Sequence, residues 1–563
     1  MTLAKLLVFL PMLTRAVDLP VVDLGYERHQ AISYNETGGY YNFTNIRYGQ
    51  APIGDLRWAK PVAPAESSNN DPKVVNGSEQ GGNCPAVFPC WFTIQTGFTE
   101  AYLAGEEFDF NASYEELYAD NACSTAPTQA ALAGQSEDCL FLDVFAPQNT
   151  FDNAADGGNP TAAVLVYIYG GGYSGGAKNF FGYFDGSPAG LIDSSRVTNP
   201  DGLIYIGINY RLGGLGWMVG SDFTSQGGIQ NLGLYDQRLA LEWVQDNVHL
   251  FGGDPNRVTV MGESAGGGSI LMQMTAFGTG EKAPFQQAIM QSPAWEPDTA
   301  GSPDIQNQIF NEYLALMNVA SLEEAKHLPS SKVIDANYIW LRGAKYGSTF
   351  LGPTIGGDFV PDDPKRLLRD GKVDSSVKLL TTIAANEGLR FAPGNVSTEA
   401  DFVQWVDFML GGASTTVRDQ VINEIYPSIF DGSFPWTNQL ERAGVFWAEL
   451  VSTCNARYLQ DATNTTGYAN LFNVWPSLHQ GDIPYVFFNG PLTTSSVNET
   501  VARISQDYIT AFAIKGEPNN PESPSMLPYD KRLILSMTAN GFSLAADPTD
   551  NTRCAYWLDA PYA

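Results

Sequence analysis

Residues 257–277 read RVTVMGESAGGGSILMQMTAF, and this stretch constrains the fold more than any other. An apolar, β-branched run, RVTVM, leads into GESAG at residues 262–266. The residues after the serine are small and then apolar, with the look of a buried helix. The pentapeptide fits G-x-S-x-G, in which a serine is exposed on a strained turn between a strand and a helix. Neighbours of such a turn must be small, because strand packs on helix with almost no room for side chains. The chain has 56 glycines and a second match, GYSGG at residues 172–176, so the pattern alone does not choose. Context does. Ser174 also follows a strand-like run, but GGAKNFFGYFDG behind it has no helical period. The same stretch opens YGGG at residues 169–172, and bare glycine amides just after a strand are what a developing oxyanion requires. GESAG is therefore the expected elbow, and GYSGG the tail of an oxyanion loop.

The middle of the chain alternates between short apolar runs and helical patterns, the sign of an α/β sheet. Residues 164–169 (VLVYIY), 203–208 (LIYIGI), 257–261 and 378–385 (KLLTTIAA) read as buried strands. Residues 236–248 (DQRLALEWVQDNV) read as a helix broken by FGGDP. The first 160 and last 120 residues look like shorter strands, loops and insertions around this sheet. No linker divides them, so residues 17–563 are expected to form one domain.

Ahead of it, MTLAKLLVFLPMLTRA places Lys5 before an apolar run from Leu6 to Leu13 and small residues up to Ala16. Residues 1–16 therefore read as a secretory signal peptide, too short to span a bilayer. Six cysteines fit an oxidising compartment. Sequons at Asn35, Asn42, Asn76, Asn111, Asn395, Asn464 and Asn498 are compatible with it. A net charge of −30 argues against nucleic acid or an anionic membrane as partner. The expectation is a secreted, extracellular protein with no membrane anchor. The sequence is silent on its oligomeric state.

A serine nucleophile needs a base, usually histidine. The chain has only His29, His249, His327 and His479. The first three lie in an early polar loop or at helix ends, settings that suit structural or exposed histidines. His479, in PSLHQGDIPYVF, occupies a glycine- and proline-marked loop after a strand-like LFNVW, and it completes the order Ser…Asp/Glu…His. Among 61 acidic residues, an acid placed just past a strand end between Ser264 and His479 is met by Glu387 in KLLTTIAANEGLRF. Asp358, in GPTIGGDFVPDD, is the rival. No cluster has metal-ligand spacing, and neither metal nor cofactor is expected.

From about Phe43 onward the chain resembles the type-B carboxylesterase/lipase family, which includes cholinesterases and secreted fungal esterases and lipases. FTNIRYGQAPIGDLRWAKP, SEDCLFLDVFAP, YGGG, NYRLGGLGW, NLGLYDQRLALEWVQDNVHLFGGDPNRVTVMGESAGG, ANEGLRF, HQGDIPYVF, FAIKGEPN and CAYWLD occur in family order. The resemblance implies an α/β-hydrolase fold: a large, mixed, mostly parallel sheet flanked by helices, with long insertions. It implies Ser264 as nucleophile, His479 as base and Glu387, in the family's E-G context, as acid. Backbone amides of Gly171, Gly172 and Ala265 would form the oxyanion hole, with Glu263 a supporting carboxylate near the imidazole. One departure is HQGD, where many relatives carry H-G-x-E.

The resemblance also selects Cys84–Cys139 and Cys454–Cys554. Cys90–Cys123 is then the remaining pair, although Cys84 and Cys90 could exchange roles. A Cys loop cross-linked twice restricts a flap, so the expected function is hydrolysis of small-molecule carboxylic esters in an open gorge. Trp91 and Trp295 are candidates for limiting acyl size there. Two alternatives accompany it: a lipase or sterol esterase with a mobile lid, and a non-catalytic recognition protein on the same scaffold.

Overall fold

The computed structural model describes all residues except 1–18, 67–72, 80, 120–122, 124, 126, 129–131, 180–186, 297–302, 345, 347–350, 464–465, 491–496 and 563. The expected signal peptide and the sequon at Asn464 lie outside the described residues.

Fourteen strands are described. β1 (Val21–Asp23), β2 (Arg28–Gln30) and β5 (Val74–Val75) make a small sheet. The others are β3 (Ser33–Asn35), β4 (Tyr40–Arg47), β6 (Phe141–Pro147), β7 (Ala162–Ile168), β8 (Ile204–Ile208), β9 (Gly253–Glu263), β10 (Gln287–Gln291), β11 (Lys378–Ala384), β12 (Tyr468–Phe472), β13 (Leu533–Thr538) and β14 (Gly541–Ala546). They form one eleven-stranded sheet in the order β14-β13-β12-β11-β10-β9-β7-β8-β6-β4-β3. Neighbours from β13 through β8 are parallel, whereas β14 and the β6, β4, β3 flank are antiparallel.

Burial follows from this geometry. Parallel strands are covered by helices on both faces, so they read as continuous apolar runs instead of alternating ones. Every residue of AAVLVYI in β7 and IYIGI in β8 is buried. The helix Ala265–Thr275 after β9 is buried along its whole length. On the other side of the loop after β8, Asp236 in the helix Leu232–Asn247 takes Arg211 in a two-pronged ion pair at 2.8 and 2.7 Å. Arg211 directly follows Tyr210, whose ring stacks on Tyr169 with centroids 4.5 Å apart. Each of these two tyrosines donates its hydroxyl to the other's carbonyl. The loops after β7 and β8 are thereby clasped together.

Two expectations need correction. The early and late segments are not insertions around the sheet: β3, β4 and β6 on one side and β12, β13 and β14 on the other are members of it. β4 and β6 do not alternate regularly, since β6 is buried almost throughout and a bulge interrupts β4 between Phe43 and Ile46. The strand before His479 is Tyr468–Phe472, three residues earlier than LFNVW suggested, because Asn473 to Trp475 already turn away.

The bridges Cys84–Cys139, Cys90–Cys123 and Cys454–Cys554 are all formed. The first two enclose the helices Cys90–Ala104 and Phe110–Ala119. That loop is also fastened to the body, since Gln95 donates to the carbonyls of Leu389 and Ala392 at 3.1 and 2.8 Å and Tyr118 donates to that of Ala344. Of the sequons, Asn76, Asn111 and Asn395 are exposed and Asn35 is half-buried. Asn42 lies in β4 with its amide oxygen buried, and Asn498 caps the helix Glu499–Lys515.

Removing one partner of a buried ion pair leaves an uncompensated charge, at a cost of about 3–5 kcal/mol. Asp236→Ala should therefore lower the urea denaturation midpoint markedly, and pairing it with Arg211→Met should recover most of the loss. An unchanged midpoint in Asp236→Ala would contradict the clasp.

Candidate active site

β9, β10, β11 and β12 are adjacent and parallel, so their C-terminal ends share one edge of the sheet, the place where open α/β folds gather ligands. Ser264 follows β9, Ser292 follows β10, Glu387 lies three residues beyond β11, and His479 lies seven beyond β12. The loops after β11 and β12 are stitched to each other. Asn386 donates its backbone N–H to the Ser477 carbonyl at 2.9 Å and its side-chain amide to the Pro476 carbonyl at 2.8 Å. Acid and imidazole are thus positioned jointly.

Ser264 has φ 58° and ψ −124°, a backbone state that a non-glycine residue rarely holds and that costs of order 1–3 kcal/mol. Close packing on both sides enforces it. A Cβ on Gly266 would come 2.3 Å from the Ile168 carbonyl oxygen, and one on Gly170 would come 2.5 Å from that of Glu263. β7, the turn and the helix after it therefore meet with no space for side chains.

His479 Nε2 lies 2.7 Å from Ser264 Oγ, and His479 Nδ1 is hydrogen-bonded to Glu387 Oε2. Glu387 is fixed in turn. Its Oε1 accepts from Ser292 Oγ and from the Ala384 N–H at 2.7 Å, and Ser452 Oγ reaches Oε2 at 3.4 Å. Phe391 and Trp447, stacked 4.0 Å apart, both set edges against the imidazole. The amides of Gly171, Gly172 and Ala265 border the same cavity as Ser264, and among the described residues they donate to no backbone carbonyl. Ser174 is fully buried with its hydroxyl on the Gly172 carbonyl, part of the loop and away from the imidazole.

The remaining candidates separate cleanly. Asp358 has a side chain 80% exposed and faces Lys60, so it is not the acid. His249 and His327 are exposed, and His29 is buried in β2 between Glu27 and the Thr44 carbonyl, not in a polar loop. Trp295 is buried with its indole N–H on Asp363, and Trp91 packs on Tyr346. Neither borders the cavity, which holds about 820 Å³ and is walled by Phe88, Phe92, Trp340, Phe391 and Trp447. These aromatics come from four separate segments, and no spacing in the sequence links them.

The electrostatics centre on one imidazole and several buried carboxyls. Burial pushes the Glu263 carboxyl up; the imidazole pulls it back down, while Asp482 and Glu387 push it further up. Its Oε1 lies 3.2 Å from His479 Nε2. Burial likewise raises Asp482 to about 6, against the hydrogen bond it accepts from Gln291. Asp482 is the third residue after His479, so the HQGD departure keeps a carboxyl where H-G-x-E has one. For His479 itself burial opposes protonation, but the charges of Glu263 and Glu387 outweigh it and hold the imidazole above its ordinary range. Ser292, Ser452 and Asp482 were not picked out from sequence. Only their nearness to Glu387 and His479 in space marks them.

Acting as a base, His479 would work when neutral, so the acid limb of kcat/KM should lie above the ordinary histidine value. Glu263→Gln removes a negative neighbour, destabilises the imidazolium and should move that limb to lower pH. An unmoved limb in a pH–rate profile would contradict the coupling.

The family model described as the carboxylesterase family matches residues 28–557. Carboxylesterase patB of Aspergillus clavatus is 50% identical over 557 residues, covering 98% of each chain. Carboxylesterase patB of Penicillium expansum is 47% identical over 553 residues, covering 97% of each. Among solved structures, Aspergillus niger EstA aligns with a TM-score of 0.75 at 22% identity, over 97% of this chain and 99% of that one.

Proposed function

The chain belongs to the carboxylesterase family and is a carboxylic ester hydrolase; from that premise we propose that Ser264, His479 and Glu387 act as its catalytic triad. The observation that carries the reading is the 2.7 Å contact of Ser264 Oγ with His479 Nε2 on a strained turn. Ser264 Oγ attacks the ester carbonyl while His479 Nε2 takes its proton. Glu387 holds the ring in the tautomer that leaves Nε2 free to accept, and it stabilises the imidazolium. The carbonyl oxygen, now negative, accepts from the amides of Gly171, Gly172 and Ala265; losing one such donor typically costs about 3–4 kcal/mol. His479 returns the proton to the leaving alcohol, and an acyl group remains on Ser264. Water, deprotonated by the same imidazole, then releases the acid.

The double cross-link of the Cys loop and its hydrogen bonds to the body support an esterase whose gorge is already formed. One observation favours a second reading. Ile305, Leu316 and Phe408 border the cavity and are among the exposed large apolar side chains, a surface that a lipase would set against lipid. Three disulfides are compatible with the secreted setting in which we propose the enzyme acts.

Hydrolysis of p-nitrophenyl esters from acetate to palmitate tests both readings. Ser264→Ala should lower kcat by about six orders of magnitude. Wild type should favour short chains, with no jump in rate at the solubility limit. A long-chain optimum with such a jump would transfer the reading to lipase. Undiminished activity in Ser264→Ala would overturn the triad.

A further inference from the structure

After β10 the chain passes Ser292, the residue that fixes Glu387, and reaches Glu296. This segment is pinned to the elbow. The Ala294 N–H donates to the Ser264 carbonyl at 3.1 Å, and the Trp295 N–H donates to the Val451 carbonyl at 2.8 Å. The Trp295 indole is held by Asp363. Glu296 is therefore placed by the same backbone that places the serine, and its half-buried side chain lines the cavity shared by Ser264, Gly171, Gly172 and His479.

Among the described residues nothing answers this carboxyl. Among the described residues no hydrogen bond or ion pair engages it, and no lysine or arginine lines the cavity. The other ionisable lining groups are His479, Tyr173, Glu312 and Asp407. Burial raises Glu296 to about 7, against the pull of the imidazole. A half-buried acceptor in a mostly apolar cavity is costly unless a donor reaches it. The molecule that enters this space is the ester.

We propose that Glu296 is a specificity-determining residue that accepts a hydrogen bond from a hydroxyl carried by the substrate, so that the cavity prefers hydroxylated esters to all-apolar esters of equal length. The proposal rests on the assignment of Ser264 as nucleophile. Its physical basis is asymmetric. A site built to hydrogen-bond a substrate hydroxyl discriminates against the analogue lacking it, because the site's own polar group is then left dry. The hydroxyl could belong to the acyl or to the alcohol half of the ester.

The test uses two matched pairs: p-nitrophenyl butyrate with p-nitrophenyl 3-hydroxybutyrate, and butyl acetate with 4-hydroxybutyl acetate. In wild type, kcat/KM for the hydroxylated member of one pair should exceed its partner by about tenfold or more. The difference should appear mainly in KM, and the responding pair identifies the half that carries the hydroxyl. Glu296→Leu should bring that ratio to unity or below while raising kcat/KM for the all-apolar member. Glu296→Gln, whose amide oxygen still accepts, should retain part of the preference. A folding defect would lower both members alike and leave the ratio intact. Ratios near unity in both wild-type pairs, or a ratio unchanged in Glu296→Leu, would overturn the proposal. Ser264→Ala run on the same esters keeps the two assignments apart. If it is inactive while Glu296→Leu keeps the wild-type ratio, only the role of Glu296 falls. If it is active, both fall.

Discussion

The imidazole of His479 is held by a carboxylate that arrives from a different strand, and the rest of the site is arranged around that hydrogen bond. Glu387 comes off β11 and His479 off β12, so their meeting depends on the parallel register of those strands and on the Asn386 contacts that tie the two loops. Ser264 approaches from β9, two strands away, with β10 between. β10 is more than a spacer: Ser292 at its end donates to Glu387, and the Ser264 N–H donates to the Gln291 carbonyl at 3.0 Å. A shift of one residue in any of these four strands would turn side chains to the opposite face of the sheet and dismantle the site.

Around the imidazole the protein accumulates buried acid where a stability-only design would avoid it. Glu387 keeps two donors on Oε1, and charge-assisted bonds of this kind are worth roughly 1.5–3 kcal/mol each. Glu263 and Asp482 have no comparable set of donors, and burial raises both. Glu263, together with Glu387, supplies a field that favours the imidazolium form of His479, the form that the proposed mechanism passes through. On the proposed mechanism the cost falls on folding and the return on the barrier, as at sites where perturbed ionisation marks function.

Legibility in the sequence divided along physical lines. The elbow, the glycine loop and the central strands were readable because their constraints are local: no room for a Cβ, a continuous apolar run, a break at glycine. His479 emerged by elimination in a chain with four histidines. The flank of β4 and β6 was placed outside the sheet because neither alternates regularly: β6 is buried almost throughout and a bulge interrupts β4 between Phe43 and Ile46. Ser292, Ser452, Asp482 and the aromatic wall were missed for a different reason. Their roles arise from contacts between segments tens to hundreds of residues apart, as when Phe391 stacks on Trp447 or Ser452 reaches Glu387. Trp295 shows the converse, since a tryptophan beside the site in sequence proved to be packing.

The central claim is that catalysis passes through a covalent acyl group on Ser264. Acid quenching of the enzyme during steady-state turnover of p-nitrophenyl butyrate, then peptide mass spectrometry, tests it directly. The account predicts a butyryl adduct on the peptide containing Gly262 to Gly266, localised to Ser264 and absent from Ser264→Ala. A butyryl group localised to any other residue, in an enzyme still turning over, would contradict it.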